Sequence, residues 1–121
     1  YMLGSDGIPL LEGEGLPHPR AYGAFARVIG PLRRRHKVPI EGLTHRLTAL
    51  PAQRFGLTDR GILQEGAFAD IVVLDEAEVH DLASFEDPMV GPTGIEHVLV
   101  NGTPAVNHGV LTGELAGRAI P

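Results

Sequence analysis

The chain contains no cysteine. That absence excludes a disulfide framework and every cysteine-ligated zinc site, and it fits a cytoplasmic home. Long apolar runs are missing as well. The longest, Ile71-Val72-Val73-Leu74, falls far short of the ~20 residues a membrane-spanning helix requires, so a membrane is not an expected partner. The opening stretch Tyr1-Met2-Leu3-Gly4-Ser5-Asp6-Gly7 has neither the positive start nor the apolar core of a secretory leader. It also lacks an initiator methionine at its first position, and a fragment is expected. Basic charge is scarce: 10 Lys and Arg stand against 15 Asp and Glu, for a net charge of −5. Nucleic acid and anionic lipid are therefore not expected partners. One basic cluster, Arg33-Arg34-Arg35-His36-Lys37, has no interleaved aromatic residue to stack a base and reads as a solvated segment after a helix. The six histidines show no HxH or HExxH spacing, so His36, His45, His80, His97 and His108 read as surface or packing residues.

What is present is ordinary for a globular protein: 121 residues, 43% hydrophobic and 21% charged, enough for one domain that buries roughly two-thirds of its unfolded surface. Periodicity divides the chain near Gly56 to Gly61 into a helical first half and a strand-rich second half. Tyr22, Phe25, Ala26 and Ile29 recur at helical spacing, and Gly30-Pro31 is expected to stop that helix. Ile40, Leu43, Leu47 and Leu50 mark a second helix over about Pro39 to Leu50, and Pro51 is expected to open a further short turn closed by a left-handed Gly56. Beyond Gly61, Ile71 to Leu74 reads as a strand covered on both faces, and Glu96 to Val100 as another. Asn101-Gly102 signals a type I′ hairpin. The return strand runs over Thr103 to Val106, with Pro104 restricting it to an edge or an irregular register. His108-Gly109 and Thr112-Gly113 mark further turns. Glu86-Asp87-Pro88 to Pro92-Thr93-Gly94 reads as a surface loop.

Two places could carry chemistry. Gly4-Ser5-Asp6-Gly7 offers one carboxylate among small residues. Such an Asp most often bonds its own backbone in a turn; the functional alternative is a carboxylate at the C-terminal end of a barrel strand. His18-Pro19-Arg20 ends a Gly- and Pro-rich loop. His18 could bind metal or move a proton, and Arg20 could hold a carboxylate in a planar fork. The plainer alternative is a helix start with Pro19 in its first turn.

The run Gly61-Ile62-Leu63-Gln64-Glu65-Gly66-Ala67-Phe68-Ala69-Asp70-Ile71-Val72-Val73-Leu74-Asp75, followed by Val98-Leu99-Val100-Asn101-Gly102, resembles the closing segment of amidohydrolase-superfamily enzymes. Leu47 to Leu57 resembles the exit from the last barrel helix of that superfamily. Gly4-Ser5-Asp6-Gly7, His18-Pro19-Arg20, Ser84-Phe85-Glu86-Asp87-Pro88 and Gly94-Ile95-Glu96 narrow the match to a resemblance with the N-acyl-D-amino-acid deacylase branch. The resemblance implies an α+β fragment. Residues 1–56 would be the helical remnant of the last β/α unit of a TIM-like barrel, and residues 57–121 part of a small β-sandwich.

It further implies that Asp6 binds or adjoins zinc in a complete parent, takes a proton from the metal-bound water and later delivers it to the leaving amine. Arg20 would recognise the α-carboxylate of an N-acyl amino acid, with His18 shaping the loop. The histidine ligands of the family are absent, and one carboxylate does not hold catalytic zinc, which takes three protein ligands and a water. The chain alone is thus expected to bind no metal and to be inactive. A rival reading is a non-catalytic assembly or binding module. Another is a dihydroorotase- or hydantoinase-like amidohydrolase, which has less reason for His18-Pro19-Arg20.

A partial sandwich and barrel helix leave open sheet edges and apolar stripes (Tyr22, Phe25, Ile29; Leu43, Leu47, Leu50), which soluble monomers rarely expose. The sequence therefore predicts a homo-oligomer, most simply a two-fold dimer. Light scattering during size-exclusion chromatography at micromolar concentration should give about twice the 12.9 kDa chain mass; a monodisperse monomer would contradict it.

Overall fold

The computed structural model describes residues 1–8, 10 and 15–120. Helix α1 (Arg20–Arg27) runs into a π-helical turn (Val28–Leu32) and then α2 (Arg33–His36). Gly30-Pro31 does not stop the helix as the sequence suggested. A proline ring clashes with the carbonyl four residues back in α geometry, and the wider π turn lets Pro31 pass. The end comes at Lys37, which takes left-handed φ 53. There the amides of Lys37 and Val38 return to the carbonyls of Arg34 and Arg33 at 3.3 and 3.1 Å, a Schellman closure.

The second expected helix divides in the same way. Helix α3 (Ile40–Leu47) breaks at Thr48, and α4 (Ala49–Arg54) contains Pro51 rather than starting at it. Continuous α geometry would set the Pro51 ring against the Leu47 carbonyl. Thr48 Oγ1 instead donates to the Thr44 carbonyl at 2.8 Å, and Gly56 closes α4 at φ 73.

Four strands form one antiparallel sheet in chain order: β1 (Ile71–Leu74), β2 (Ile95–Val100), β3 (Thr103–Asn107) and β4 (Val110–Leu111). Asn101 and Gly102 both have positive φ, 50 and 83, as a type I′ turn demands. His108 and Gly109 repeat the device between β3 and β4, with φ 48 and 73. Pro104 faces Leu99 beside a register shift, beyond the two residues of β3 that pair with β4, so its missing N–H interrupts no inner ladder. The expectation that β1 is covered on both faces fails: Val72 and Val73 are half-exposed. Among the described residues, extensive contacts join neighbouring strands or neighbouring helical segments, and no helix covers the sheet.

The hairpin is tied to the chain before it. Asp70 accepts the Asn101 amide at 2.8 Å, Arg60 donates to Asn101 Oδ1 at 2.6 Å and pairs with Asp70, and Asn101 Nδ2 reaches the Ala116 carbonyl at 2.7 Å. The Arg60 guanidinium also stacks over the Phe68 ring, 4.3 Å from its centroid.

The helical and strand-rich halves meet at the segment after β1. Asp75 caps an Asx turn, its Oδ1 accepting the Ala77 amide at 2.8 Å. The chain then crosses α1 and the π turn, where Val79 is fully buried and Ala26 and Ala83 nearly so. The buried stripe of the helix is Gly23, Ala26 and Gly30; of the residues at helical spacing in the sequence only Ala26 belongs to it, and Tyr22 and Phe25 are close to half-exposed. A Cβ on Gly30 would lie 2.0 Å from the Val79 carbonyl oxygen, and one on Gly23 would lie 3.1 Å from the Asp81 Cβ.

Nor is the basic cluster wholly solvated. Arg34 donates to the carbonyls of Glu76 and Val79 at 2.9 and 3.0 Å. The Arg33 guanidinium, nearly buried, meets Glu76 at 2.6 Å. Asp81, buried, accepts both Nε and Nη2 of Arg27 at 2.7 and 2.6 Å. Among the described residues no helix is long and apolar enough to cross a membrane.

Two stability predictions follow from this geometry. Gly30→Ala should cost about 3 kcal/mol in denaturant unfolding, since backbone must shift to admit the methyl group. Gly42→Ala on α3, where the added Cβ meets nothing within 4 Å, should instead stabilise by roughly 0.5–1 kcal/mol; equal effects at the two sites would contradict the packing described. Burial pushes the Asp70 carboxyl up, but the Asn101 amide, Arg60 and Arg118 outweigh that and hold it below its ordinary value. A folded pKa below the unfolded one, about 3.9, gives stability that is present above that value and is lost as the pH falls through the folded one. Asp70→Asn should therefore lower the unfolding midpoint at pH 7, and the gap from wild type should close as the solution is acidified below about pH 4. An equal gap at pH 7 and pH 3 would sink this reading.

Candidate functional site

The N-terminal end of α1 gathers the three residues singled out by sequence. Asp6 lies in left-handed backbone, φ 50, in a turn closed by its neighbour: Ser5 Oγ accepts the Gly7 amide at 3.2 Å. The turn reading of this stretch thus holds for Ser5, while the Asp6 carboxylate points outward with its side chain 84% exposed. Its Oδ2 receives Arg20 Nη2 at 3.0 Å. The Gly- and Pro-rich loop between them lies partly outside the described residues.

Arg20 opens α1 directly after Pro19, whose backbone is already helical at φ −51. His18 Nδ1 accepts the Arg20 amide at 3.1 Å, satisfying one of the helix's free N–H groups. In a neutral ring this leaves the proton on Nε2. The plainer reading of His18-Pro19-Arg20 is present, since the segment starts the helix, and within the chain the Arg20 guanidinium stands beside the Asp6 carboxylate. The Arg20 Nε is buried and has no hydrogen-bond partner among the described residues.

Beside Arg20 runs a cleft of 420 Å³ between α1 and the chain around Ala83, lined by His18, Arg20, Arg27, Asp81, Ser84 and Phe85 among others. Phe85 packs edge-on against the His18 ring, with centroids 5.0 Å apart and planes at 77°. Sequence reading placed Phe85 in a motif and gave it no role. Asp81 and Arg27, which line the cleft, were missed altogether; a lone Asp seven residues beyond a strand run carries no local signal of burial. The remaining histidines behave as packing groups where contacts are seen: His80 Nδ1 donates to the Asp81 carbonyl at 2.6 Å, and His97 meets His108 edge-on at 4.7 Å.

Among the described residues no three His, Cys, Asp or Glu side chains stand close enough together to hold a metal ion. Asp6 suits a single position in a ligand set. The other protein ligands that catalytic zinc needs are not supplied by these residues.

The geometry has close counterparts. The amidohydrolase family matches residues 2–106. D-aminoacylase of Alcaligenes xylosoxydans xylosoxydans is 47% identical over 120 residues, 98% of this chain and 24% of that protein. N-acyl-D-glutamate deacylase of the same organism is 48% identical over 102 residues, 84% of this chain and 20% of that protein. A crystal structure of D-aminoacylase superposes with TM-score 0.84 at 43% identity, over 93% of this chain and 23% of that one. N-acyl-D-glutamate deacylase from Bordetella bronchiseptica, solved with zinc and a phosphonate mimic of the tetrahedral intermediate, gives TM-score 0.80 at 45% identity, over 86% and 22% of the two chains. This chain thus spans a fifth to a quarter of the length of the relatives it matches. Sequence match and backbone superposition agree over the same residues, and the chain belongs to the amidohydrolase family.

Proposed function

We propose that the full-length protein of which this chain is part hydrolyses the amide bond of N-acyl-D-amino acids, and that this chain contributes Asp6 and Arg20 to the site. The observation that carries the reading is the Asp6–Arg20 pair, 3.0 Å apart at the start of α1. Nearly half-identity to a D-aminoacylase and an N-acyl-D-glutamate deacylase supports the substrate class.

In this reading the Arg20 fork holds the α-carboxylate of the substrate. The Asp6 carboxylate, exposed and one side chain away, takes a proton from the attacking water and returns it to the leaving amine. His18 fixes the backbone of that loop. Zinc, where the complete protein holds it, would lower the pKa of the attacking water and polarise the amide carbonyl, with Asp6 as this chain's one contribution to its ligands.

The same reading assigns residues 1–56 to the end of a TIM-like barrel and residues 57–121 to part of a β-sandwich. It also assigns the exposed edge of β1 and the apolar helix faces to contacts within the longer chain or a two-fold dimer. The lack of cysteine suits a cytoplasmic setting.

In the full-length protein, Asp6→Asn should lower kcat by about 10²–10⁴-fold with an unchanged melting temperature. Arg20→Ala should lower kcat/KM chiefly for substrates bearing the carboxylate. An Asp6→Asn enzyme within roughly tenfold of wild type, or an Arg20→Ala loss equal on a neutral amide analogue, would overturn the assignment.

A further inference from the structure

We propose that Phe85 is a positioning residue for Arg20, acting through the His18 ring; the inference rests on the reading of Arg20 as the carboxylate-binding group. Within this chain Phe85 is 74% exposed and makes little apolar contact. Its aromatic partner is His18, met edge-on with centroids 5.0 Å apart. In this arrangement the positive edge of one ring faces the negative face of the other, and the pair prefers one relative orientation. A His18 ring held in that orientation presents Nδ1 to the Arg20 amide at 3.1 Å. Pro19 between them has its φ locked by its own ring, so the hydrogen bond fixes the direction in which the Arg20 side chain leaves the helix. Arginine is long and has four side-chain torsions. A small rotation at its backbone therefore displaces the guanidinium by ångströms and opens the 3.0 Å contact with Asp6.

Phe85 is itself held rigidly. Ser84 Oγ accepts the amides of Glu86 and Asp87 at 3.2 and 3.0 Å, and the Ser84 amide donates to the Asp87 carbonyl at 3.0 Å. Four residues earlier, Asp81 is clamped to Arg27 of the same helix that Arg20 opens. The segment from Asp81 to Asp87 is thus attached to α1 at two points, once near each end. A loop from the strand-rich half sets the aim of a side chain from the helical half.

The test is steady-state kinetics of the full-length protein with Phe85→Leu and Phe85→Tyr. Each variant is assayed on an N-acetyl amino acid and on the same compound with its carboxylate replaced by a carboxamide. Phe85→Leu should raise KM for the carboxylate substrate by roughly two- to tenfold, the range expected for one lost aromatic pair. It should leave kcat, the neutral substrate and the melting temperature near wild type. Phe85→Tyr, which keeps the ring, should restore KM. An unaltered Leu variant, equal losses on both substrates, or a Tyr variant as impaired as Leu would each overturn the proposal while leaving the deacylase reading in place. A wild-type protein that hydrolyses no N-acyl amino acid would overturn that reading and this proposal with it.

Discussion

Close approach of backbone to backbone, made possible by missing side chains, is the constraint on which the rest of this chain depends. Gly23, Ala26 and Gly30 form one stripe of the first helical run, and the extended segment around Val79 lies directly on it. The apolar contribution there is small, because among the described residues the fully or nearly buried hydrophobic side chains at this contact are Ala26, Ala83 and Val79; burying a valine gains about 1.5–3 kcal/mol and an alanine less. What holds the segment is its polar fit. Arg34 satisfies two of its carbonyls, and Arg27 compensates the buried Asp81 carboxylate. With so little apolar burial to offset chain entropy of roughly 1–2 kcal/mol per residue, large apolar side chains stay exposed on α1 at Tyr22 and Phe25, on β1 at Val72 and Val73, on β4 at Val110 and Leu111, and in the loops.

That constraint also explains what was legible in the sequence. The sheet was read well, because its signals are local: Asn101-Gly102 specifies a turn through its own backbone preference, and Ile71 to Leu74 specifies a strand through β-branching. The helices were read less well. Periodicity located them and left Tyr22, Phe25 and Ile29 as an uncovered stripe, but did not show that Gly23 and Gly30 line the face on which another stretch of backbone comes close. Gly30-Pro31 and Pro51 looked like boundaries. The chain answered one with a π turn and the other with a break three residues upstream, both ways of moving a carbonyl out of a proline ring's path. Among the basic residues, Arg33 and Arg34 were consumed by contacts with residues more than forty positions away, which no local pattern encodes.

The candidate site shows the same division. Asp6, His18 and Arg20 were legible because short motifs carry them, and the structure brings all three to the start of one helix. Phe85, Asp81 and Arg27 became visible only when the fold set a distant loop against that helix. The family relationship gives this arrangement a chemical context. Asp6 and Arg20 supply a carboxylate and a guanidinium, and neither is a reaction centre by itself.

The hairpin at Asn101 has a consequence for chemical ageing. An asparagine followed by glycine is prone to deamidation, in which the glycine nitrogen attacks the asparagine side-chain carbonyl and ammonia leaves. In the folded chain the Gly102 nitrogen is engaged with the Ala69 carbonyl at 3.0 Å, and the Asn101 side chain is held through its oxygen by Arg60 and through its nitrogen by Ala116. Both reacting groups are thereby kept from the geometry of attack. Slow damage at this turn should keep pace with opening of the sheet, and the aspartate it leaves would set a carboxylate oxygen against the Ala116 carbonyl where an amide once donated.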